Sequence, residues 1–342
     1  MQTNVALAGG GTAGHITPNL ALLPELKTRF DKIIYLGAPS SMEEALCKKA
    51  NLPFYPTETS KFHRKRIWKN AALPLTLIKG IRQAKSVLKA ENVSVVFSKG
   101  GYAAIPTVLA ARSIGIPIVC HESDCTMGLA NRLTALFAAK IYTAFPGTYK
   151  KASVLATPIR EEIFRGEPLD LFSRPEKPVV LFMGGSLGAA AINDALSKSF
   201  AELTEKYNIL HISGKSAPPI KSPSYVSVPF TDSIEDFYKT ADVVVCRAGA
   251  STLGELTALG KKVVAVPLPK GESRGDQEEN AAYYLSEKKI RVLPQSELSA
   301  RSLLAAIDKS IKNSAPAPAY DRNTPSILAE ALYAAAKSRG AP

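Results

Sequence analysis

Short apolar runs alternate with helical patterns along almost the whole chain. In the first half, Val5–Ala8, Lys32–Leu36, Val93–Ser98, Ile116–His121 and Lys140–Thr143 read as strands. Helical patterns fall between them, near Pro18–Arg29, Met42–Ala50, Leu75–Lys89, Ala103–Ser113 and Leu129–Ala138. The second half repeats the plan, with strands at Pro178–Met183, Ile209–Ser213, Val226–Pro229, Asp242–Cys246, Lys262–Val266 and Arg291–Leu293. Its helices fit Ala189–Lys206, Ile234–Thr240, Ser251–Ala258, Asp276–Ser286 and Ser299–Lys312, and Thr324–Lys337 reads as a last helix. Strand and helix alternating at this spacing predict an α/β fold of two Rossmann-like, doubly wound domains. The proline-rich stretch Thr157–Pro178 is the expected boundary.

Each half opens on the same device. VALAGGGTAGH (Val5–His15) and VVLFMGGSLGAA (Val179–Ala190) are both strand, glycine loop and helix start. Glycine lets the backbone approach a ligand, and the first turn of a helix offers unpaired N–H groups to an anion. Gly9, Gly11 and Gly14 also fit the G-x-G-x-x-G spacing of dinucleotide enzymes. That reading expects an acidic residue at the end of the second strand. The strand instead runs out through Leu36-Gly37-Ala38-Pro39-Ser40, with Glu43 and Glu44 only later, on the next helix. The second half adds another candidate cradle, Arg247–Thr252, after its fourth strand. No Asp-x-Asp pair occurs, so no phosphate-bound divalent ion or other cofactor is signalled, and helix termini are expected to take over its electrostatic role.

Composition narrows the setting. With 46% hydrophobic and 21% charged residues over 342 positions, the chain has the balance of a folded protein large enough for two cores. The net charge of +13 favours anionic partners without choosing among them. Much of it gathers in Lys61–Lys89, where ten basic or histidine residues interleave with Phe62, Ile67, Trp68, Leu75 and Ile78. That mixture suits docking on an anionic membrane surface, or a solvated basic helix over the core. Nucleic acid fits less well, since no recognised nucleic-acid module is present. No apolar run approaches the ~20 residues of a spanning helix, and MQTNVALAGGG does not read as a signal peptide. The four cysteines have no zinc spacing and read as thiols of a reducing cytoplasm.

Seven segments together carry a family resemblance: GGGTAGHITPNLAL, SKGGYAAIP, HESDCTMGLANR, TPIREEI, MGGSLGAAAIN, CRAGASTLGELTALGK and PLPKGESRGDQEENA. In this order the chain resembles the MurG family of peptidoglycan N-acetylglucosaminyltransferases, which convert lipid I to lipid II. The resemblance implies a GT-B fold, with two Rossmann-like domains facing across a cleft. It implies residues 1–160 as the acceptor and membrane-associating domain and residues 161–323 as the UDP-sugar domain, with helix 324–338 packing back on the first. It further implies UDP-N-acetylglucosamine as donor and undecaprenyl-pyrophosphoryl muramyl pentapeptide as acceptor. A peripheral place on the cytoplasmic membrane face and other cell-wall synthesis proteins as partners also follow from it.

The residues divide between the two tasks. His15 is the candidate base, because an imidazole suits removal of the acceptor hydroxyl's proton. Thr12, Ala13 and Gly14 match positions near the reacting sugar. Asp124 stands where many relatives have asparagine and is an alternative base. His121 reads as structural. Arg160 matches an arginine near the diphosphate, or forms a salt bridge with Glu161 or Glu162. Ser186 matches a phosphate contact, Phe230 and Thr231 the uracil site, Glu255 the ribose, and Gln277 and Asn280 sugar hydroxyls. Pro267–Gly275 reads as a flexible loop that closes on the donor. Two rival readings stand beside this one: another GT-B transferase acting on a lipid such as diacylglycerol, and a nucleotide-binding membrane scaffold without catalysis.

Overall fold

The apolar runs become the strands of two parallel sheets. A computed structural model describes residues 2–60, 73–184, 189–214 and 222–338. The chain divides into two units, Met1–Arg160 with Asp321–Pro342, and Glu161–Tyr320. In the first unit the strands are β1 (Asn4–Ala8), β2 (Lys32–Gly37), β3 (Phe54–Pro56), β4 (Val93–Ser98), β5 (Ile118–Glu122), β6 (Lys140–Thr143) and β7 (Ser153–Val154). They lie in the order β3-β2-β1-β4-β5-β6-β7, all parallel. Helices α1 (Ala13–Ala21), α2 (Leu23–Lys27), α3 (Met42–Lys49), α4 (Leu73–Ala90), α5 (Ile105–Ser113) and α6 (Leu129–Ala135) connect them.

The strands are apolar on both faces because both faces are covered. Val5, Leu7, Tyr35, Val95 and Phe97 pack with Leu22 and Leu26 on one side of the sheet. Ala6, Ile34, Leu36, Val96 and Ile118 pack on the other side with Ala84 and Leu88 of α4 and Val108 and Ala111 of α5.

The second unit holds β8 (Val179–Met183), β9 (Asn208–Ile212), β10 (Tyr225–Val228), β11 (Val243–Cys246), β12 (Lys262–Ala265) and β13 (Arg291–Val292), ordered β10-β9-β8-β11-β12-β13. All of these pairs are parallel as well. Its helices are α7 (Ala190–Lys198), α8 (Phe200–Lys206), α9 (Ile234–Thr240), α10 (Ala250–Ala258), α11 (Asp276–Ser286) and α12 (Ala300–Lys312). Val180, Phe182, Val243, Val245 and Val264 meet Ile192, Leu196, Leu303 and Ile307 in its core. The last helix, α13 (Thr324–Ser338), returns to the first unit and buries Leu328, Ala329, Leu332 and Ala336 among the β1 and β4 side chains.

Two helices and two edge strands differ from the sequence pattern. The helix expected at Pro18–Arg29 starts at Ala13, carries Pro18 inside it, and breaks at Leu22, where Pro24 enters the first turn of α2. Proline lacks the N–H that would have continued the ladder, so a new helix begins there. The helix expected at Ala189–Lys206 divides at Ser199, whose hydroxyl donates back to Ala195 O at 2.6 Å and competes with the backbone ladder. The short edge strands β3 and β7 were not expected at all; each pairs with a neighbour on one side only.

Candidate functional site

In each sheet the chain runs outward from one strand and then reverses, between β1 and β4 and between β8 and β11. Open parallel sheets bind ligands beyond the carboxyl ends of the strands at such a switch point. The described candidate loops follow the carboxyl ends of strands in both sheets. The first unit places Gly9–Thr12 after β1, Lys99–Gly101 after β4 and Ser123–Gly128 after β5. The second places Gly184 after β8 and Arg247–Gly249 after β11. Ser186 lies outside the described residues.

Gly9, Gly10 and Gly101 of the first unit are needed for internal packing. A Cβ on Gly101, whose φ is +79°, would sit 2.0 Å from Gly10 O. One on Gly9 would meet His15 O at 2.8 Å, and one on Gly10 would meet Glu43 Oε1 at 1.9 Å. The loop is also bonded from below. Tyr35 Oη donates to Gly9 O at 2.8 Å, and Asn19 Nδ2 donates to that hydroxyl at 3.1 Å. Burial pushes the Tyr35 phenol up, which keeps it a donor.

Glu43 changes the reading of this loop. It is buried, on the first turn of α3, and its Oε1 accepts from Gly11 N at 3.1 Å. The first loop therefore cradles the chain's own carboxylate at that N–H, where the sequence suggested an external anion. Nothing local in the sequence announced this, because Glu43 also suits a helix N-terminus simply by its charge. Glu43→Ala takes the acceptor from a part-buried N–H, an expected loss of ~1 kcal/mol. Glu43→Gln keeps an oxygen acceptor in place and is expected to recover most of that in a thermal melt.

His15 is half-buried near the start of α1. Its Nδ1 lies 2.8 Å from Thr12 Oγ1, so Thr12 orients the ring and does not cap the helix. Where Nδ1–H donates to Oγ1, Nε2 carries the lone pair. Ala13 and Gly14 are the first two residues of α1. The loop after β5 is held by one carboxylate. Glu122 accepts from Ser123 N, Asp124 N, Gly128 N and Asn131 Nδ2 at 2.8, 3.1, 2.8 and 3.0 Å. Glu122 is therefore a clamp that shapes the turn, while Asp124 rides on it, half-buried. Arg160 ends the first unit, and its Nε is buried with no partner among the described residues. Glu161 faces Arg165 at 3.7 Å.

The second unit contrasts with the first. A Cβ on Gly249, the N-cap of α10, or on Gly254 would meet no described atom within 4 Å, and neither glycine has a positive φ. Neither folding constraint requires glycine there, whereas close approach of a ligand to the backbone would. Glu255 projects from the same helix, and the buried Tyr238 donates its hydroxyl to Glu255 Oε2 at 3.2 Å. Tyr238 fixes the carboxylate and was not singled out by its sequence context.

Gln277 Oε1 accepts from Leu268 N at 2.9 Å, which turns its amide N–H₂ into the group left to donate. Asn280 is buried and donates to Ala248 O at 3.3 Å, so it braces the Arg247–Gly249 turn instead of reaching a sugar. The Pro267–Gly275 segment is tied down: besides Gln277, Glu278 accepts from Lys270 N at 3.0 Å and Ser273 Oγ from Gly275 N at 3.0 Å. Phe230 is 63% exposed, a free aromatic face beside Thr231, whose hydroxyl accepts from Ser233 N at 3.1 Å. Among the described residues no cluster of acidic, histidine or cysteine side chains could hold a metal ion. All four cysteines are free thiols.

Comparison with known proteins agrees with this layout. Residues 5–143 match the glycosyltransferase family 28 N-terminal domain and residues 179–337 its C-terminal domain. A Clostridium botulinum protein named UDP-N-acetylglucosamine--N-acetylmuramyl-(pentapeptide) pyrophosphoryl-undecaprenol N-acetylglucosamine transferase is 37% identical over 322 residues, 90% of this chain and 91% of its own. A Lachnospira eligens protein of the same name is 38% identical over 318 residues, 89% of this chain and 90% of its own. The crystal structure of Acinetobacter baumannii MurG superposes with a TM-score of 0.72 at 25% identity, covering 97% of this chain and 99% of that one. The two Rossmann-like sheets are thus those of the GT-B fold, and the chain belongs to glycosyltransferase family 28, within the MurG family of N-acetylglucosamine transferases.

Proposed function

We propose that this protein moves N-acetylglucosamine from UDP-N-acetylglucosamine to the 4-hydroxyl of undecaprenyl-pyrophosphoryl-N-acetylmuramyl pentapeptide, converting lipid I to lipid II. The observation that carries this is the match across both domains to relatives named for that transfer. The muramyl oxygen attacks C1 of the sugar, its proton passes to His15 Nε2, the C1–O bond to the diphosphate breaks, and UDP leaves. The new bond forms opposite the leaving group, so the anomeric centre inverts.

Electrostatics at the leaving group come from the chain. The N-terminal turn of α10, opened by Gly249, offers N–H groups and the positive end of its dipole to the diphosphate. Ser186 adds a hydroxyl and Arg160 a guanidinium. Glu255, oriented by Tyr238, accepts the ribose hydroxyls; Thr231 and Phe230 hold the uracil; Gln277 donates to the sugar. Thr12, Ala13, Gly14 and Asp124 line the acceptor side, with Asp124 the alternative base. No metal takes part.

The acceptor's lipid carrier calls for a membrane surface. Within α4, Leu75 is 74% and Ile78 47% exposed, followed by exposed Lys79 and Arg82 on the same face. Apolar residues followed by basic ones suit peripheral docking on anionic lipid. The rest of the basic stretch, residues 61–72, lies outside the described residues, and no described helix is long and apolar enough to cross a membrane.

Incubation with UDP-N-acetylglucosamine and a short-chain lipid I analogue tests the proposal. A disaccharide product whose yield is unchanged by a chelator is the expected result. Turnover of diacylglycerol in place of lipid I, or donor binding without turnover of any acceptor, would sink it.

A further inference from the structure

Lys99 is the one lysine among the described residues that is fully buried, at 1% exposure, and the transfer reaction gives it no task. It follows β4, directly beside the glycine loop: its N–H donates to Ala8 O at 2.8 Å, and a Cβ on Gly9 would touch its own Cβ at 3.2 Å. A buried ammonium is costly unless its hydrogen bonds are made. Here Nζ donates to His121 Nδ1 at 2.9 Å and to Ser123 Oγ.

The partners settle their own proton positions. His121 Nε2 lies 3.0 Å from Leu155 O and 3.2 Å from Ala156 O, both acceptors, so Nε2 carries the hydrogen and Nδ1 the lone pair. Burial, with the Lys99 charge beside it, holds His121 well below the usual imidazole range and therefore neutral. Ser123 Oγ accepts from Lys99 and lies 2.8 Å from Thr157 Oγ1, to which its own hydrogen can pass. One ammonium thus joins three segments: the end of β4, the turn that Glu122 clamps, and the stretch 155–157 leading to Arg160.

We propose that Lys99 is a positioning residue. Through His121 and Ser123 it fixes the Ser123–Gly128 turn that carries Asp124, and it ties that turn to the segment that delivers Arg160. The inference rests on the transferase reading for its effect on turnover, but the tethering itself does not. Electrostatics support it: the Glu122 and Asp124 carboxylates act on the ammonium and favour the proton against burial. The balance lowers Lys99 to about 8, so below that pH the tether is a charge-assisted one. The unfolded chain holds this proton up to the ordinary lysine range. The fold therefore holds the charged form of Lys99 less well than the neutral form, and stability rises with pH from about 8 to the ordinary lysine range. An ammonium kept at such a position is better explained by placement of the turn than by stability.

Amide exchange and kinetics on the full chain test this. In Lys99→Met, exchange at Ser123, Asp124 and Gly128 near neutral pH is expected to speed by about tenfold. Alongside it, kcat should fall by about tenfold or more with the KM for UDP-N-acetylglucosamine changed by less than about threefold. Ser123→Ala, a milder change that breaks the relay to Thr157, should loosen the same amides severalfold, and it decides the matter if Lys99→Met does not fold. Unchanged exchange in both variants overturns the proposal, as does a kcat equal to that of the wild type. If the wild-type chain turns over no lipid I, the transferase reading fails while exchange still decides the role of Lys99.

Discussion

Replacing His15 with alanine is expected to lower kcat by about 10²–10⁴ while leaving donor affinity within about threefold. The argument is geometric. A general base must sit within reach of the proton it removes and present a lone pair. Where Thr12 Oγ1, 2.8 Å from Nδ1, accepts the Nδ1 hydrogen, Nε2 is left basic. Thr12→Val removes that acceptor and allows the other tautomer, so a smaller loss of severalfold in kcat is expected, again without loss of donor binding. Steady-state kinetics with a lipid I analogue and a separate UDP titration read the two effects apart. Full turnover in His15→Ala would remove the imidazole as base and pass the role to Asp124. Asp124→Asn would then carry the large loss, since the amide keeps hydrogen bonding but cannot take a proton at neutral pH.

The second large effect is a contrast between two glycines. Gly101→Ala is expected to destabilise the first unit by about 3 kcal/mol or more. A side chain is strained at a φ of +79°, and its Cβ would have to displace the Gly10 carbonyl from 2.0 Å. For a unit of this size such a loss lowers the melting temperature by roughly 6–12 °C. The displaced carbonyl belongs to the loop before His15, so turnover should fall as well. Gly249→Ala is expected to leave the melting temperature within about a degree, because its Cβ meets no described atom and its φ of −69° suits any residue. It should instead raise the KM for UDP-N-acetylglucosamine by about tenfold, since a methyl would keep the diphosphate from the N–H groups of α10. If Gly249→Ala melts early and binds donor normally, the roles assigned to the two loops are reversed.

Much of the architecture was legible before any coordinate. Strands such as Val93–Ser98 and Pro178–Met183 announce themselves because a parallel sheet covered on both sides favours near-continuous apolar runs. The first glycine loop was legible as well, and His15, Glu255 and Gln277 are candidates because each sits in a short contiguous motif. Local pattern failed where competing local forces were close to balance. The α1–α2 break depends on where Pro24 falls in a turn, and the α7–α8 break on a single hydroxyl, Ser199, turning back on its helix.

What only the tertiary structure decided has one physical cause: contacts between residues far apart along the chain. Glu43 reads as an ordinary helix-start acid until β2 and α3 carry it under Gly11, 32 positions earlier. Lys99 reads as one more basic residue in a chain of net charge +13 until β4 and β5 bury it against His121 and Ser123. Tyr238 becomes relevant only through its bond to Glu255 on the following helix. The sequence by itself determined the two sheets, the loops at their carboxyl edges and the family, because these are written in neighbouring residues. The buried charges beneath those loops were decided by packing, which alone determines which groups lose water and must find a partner.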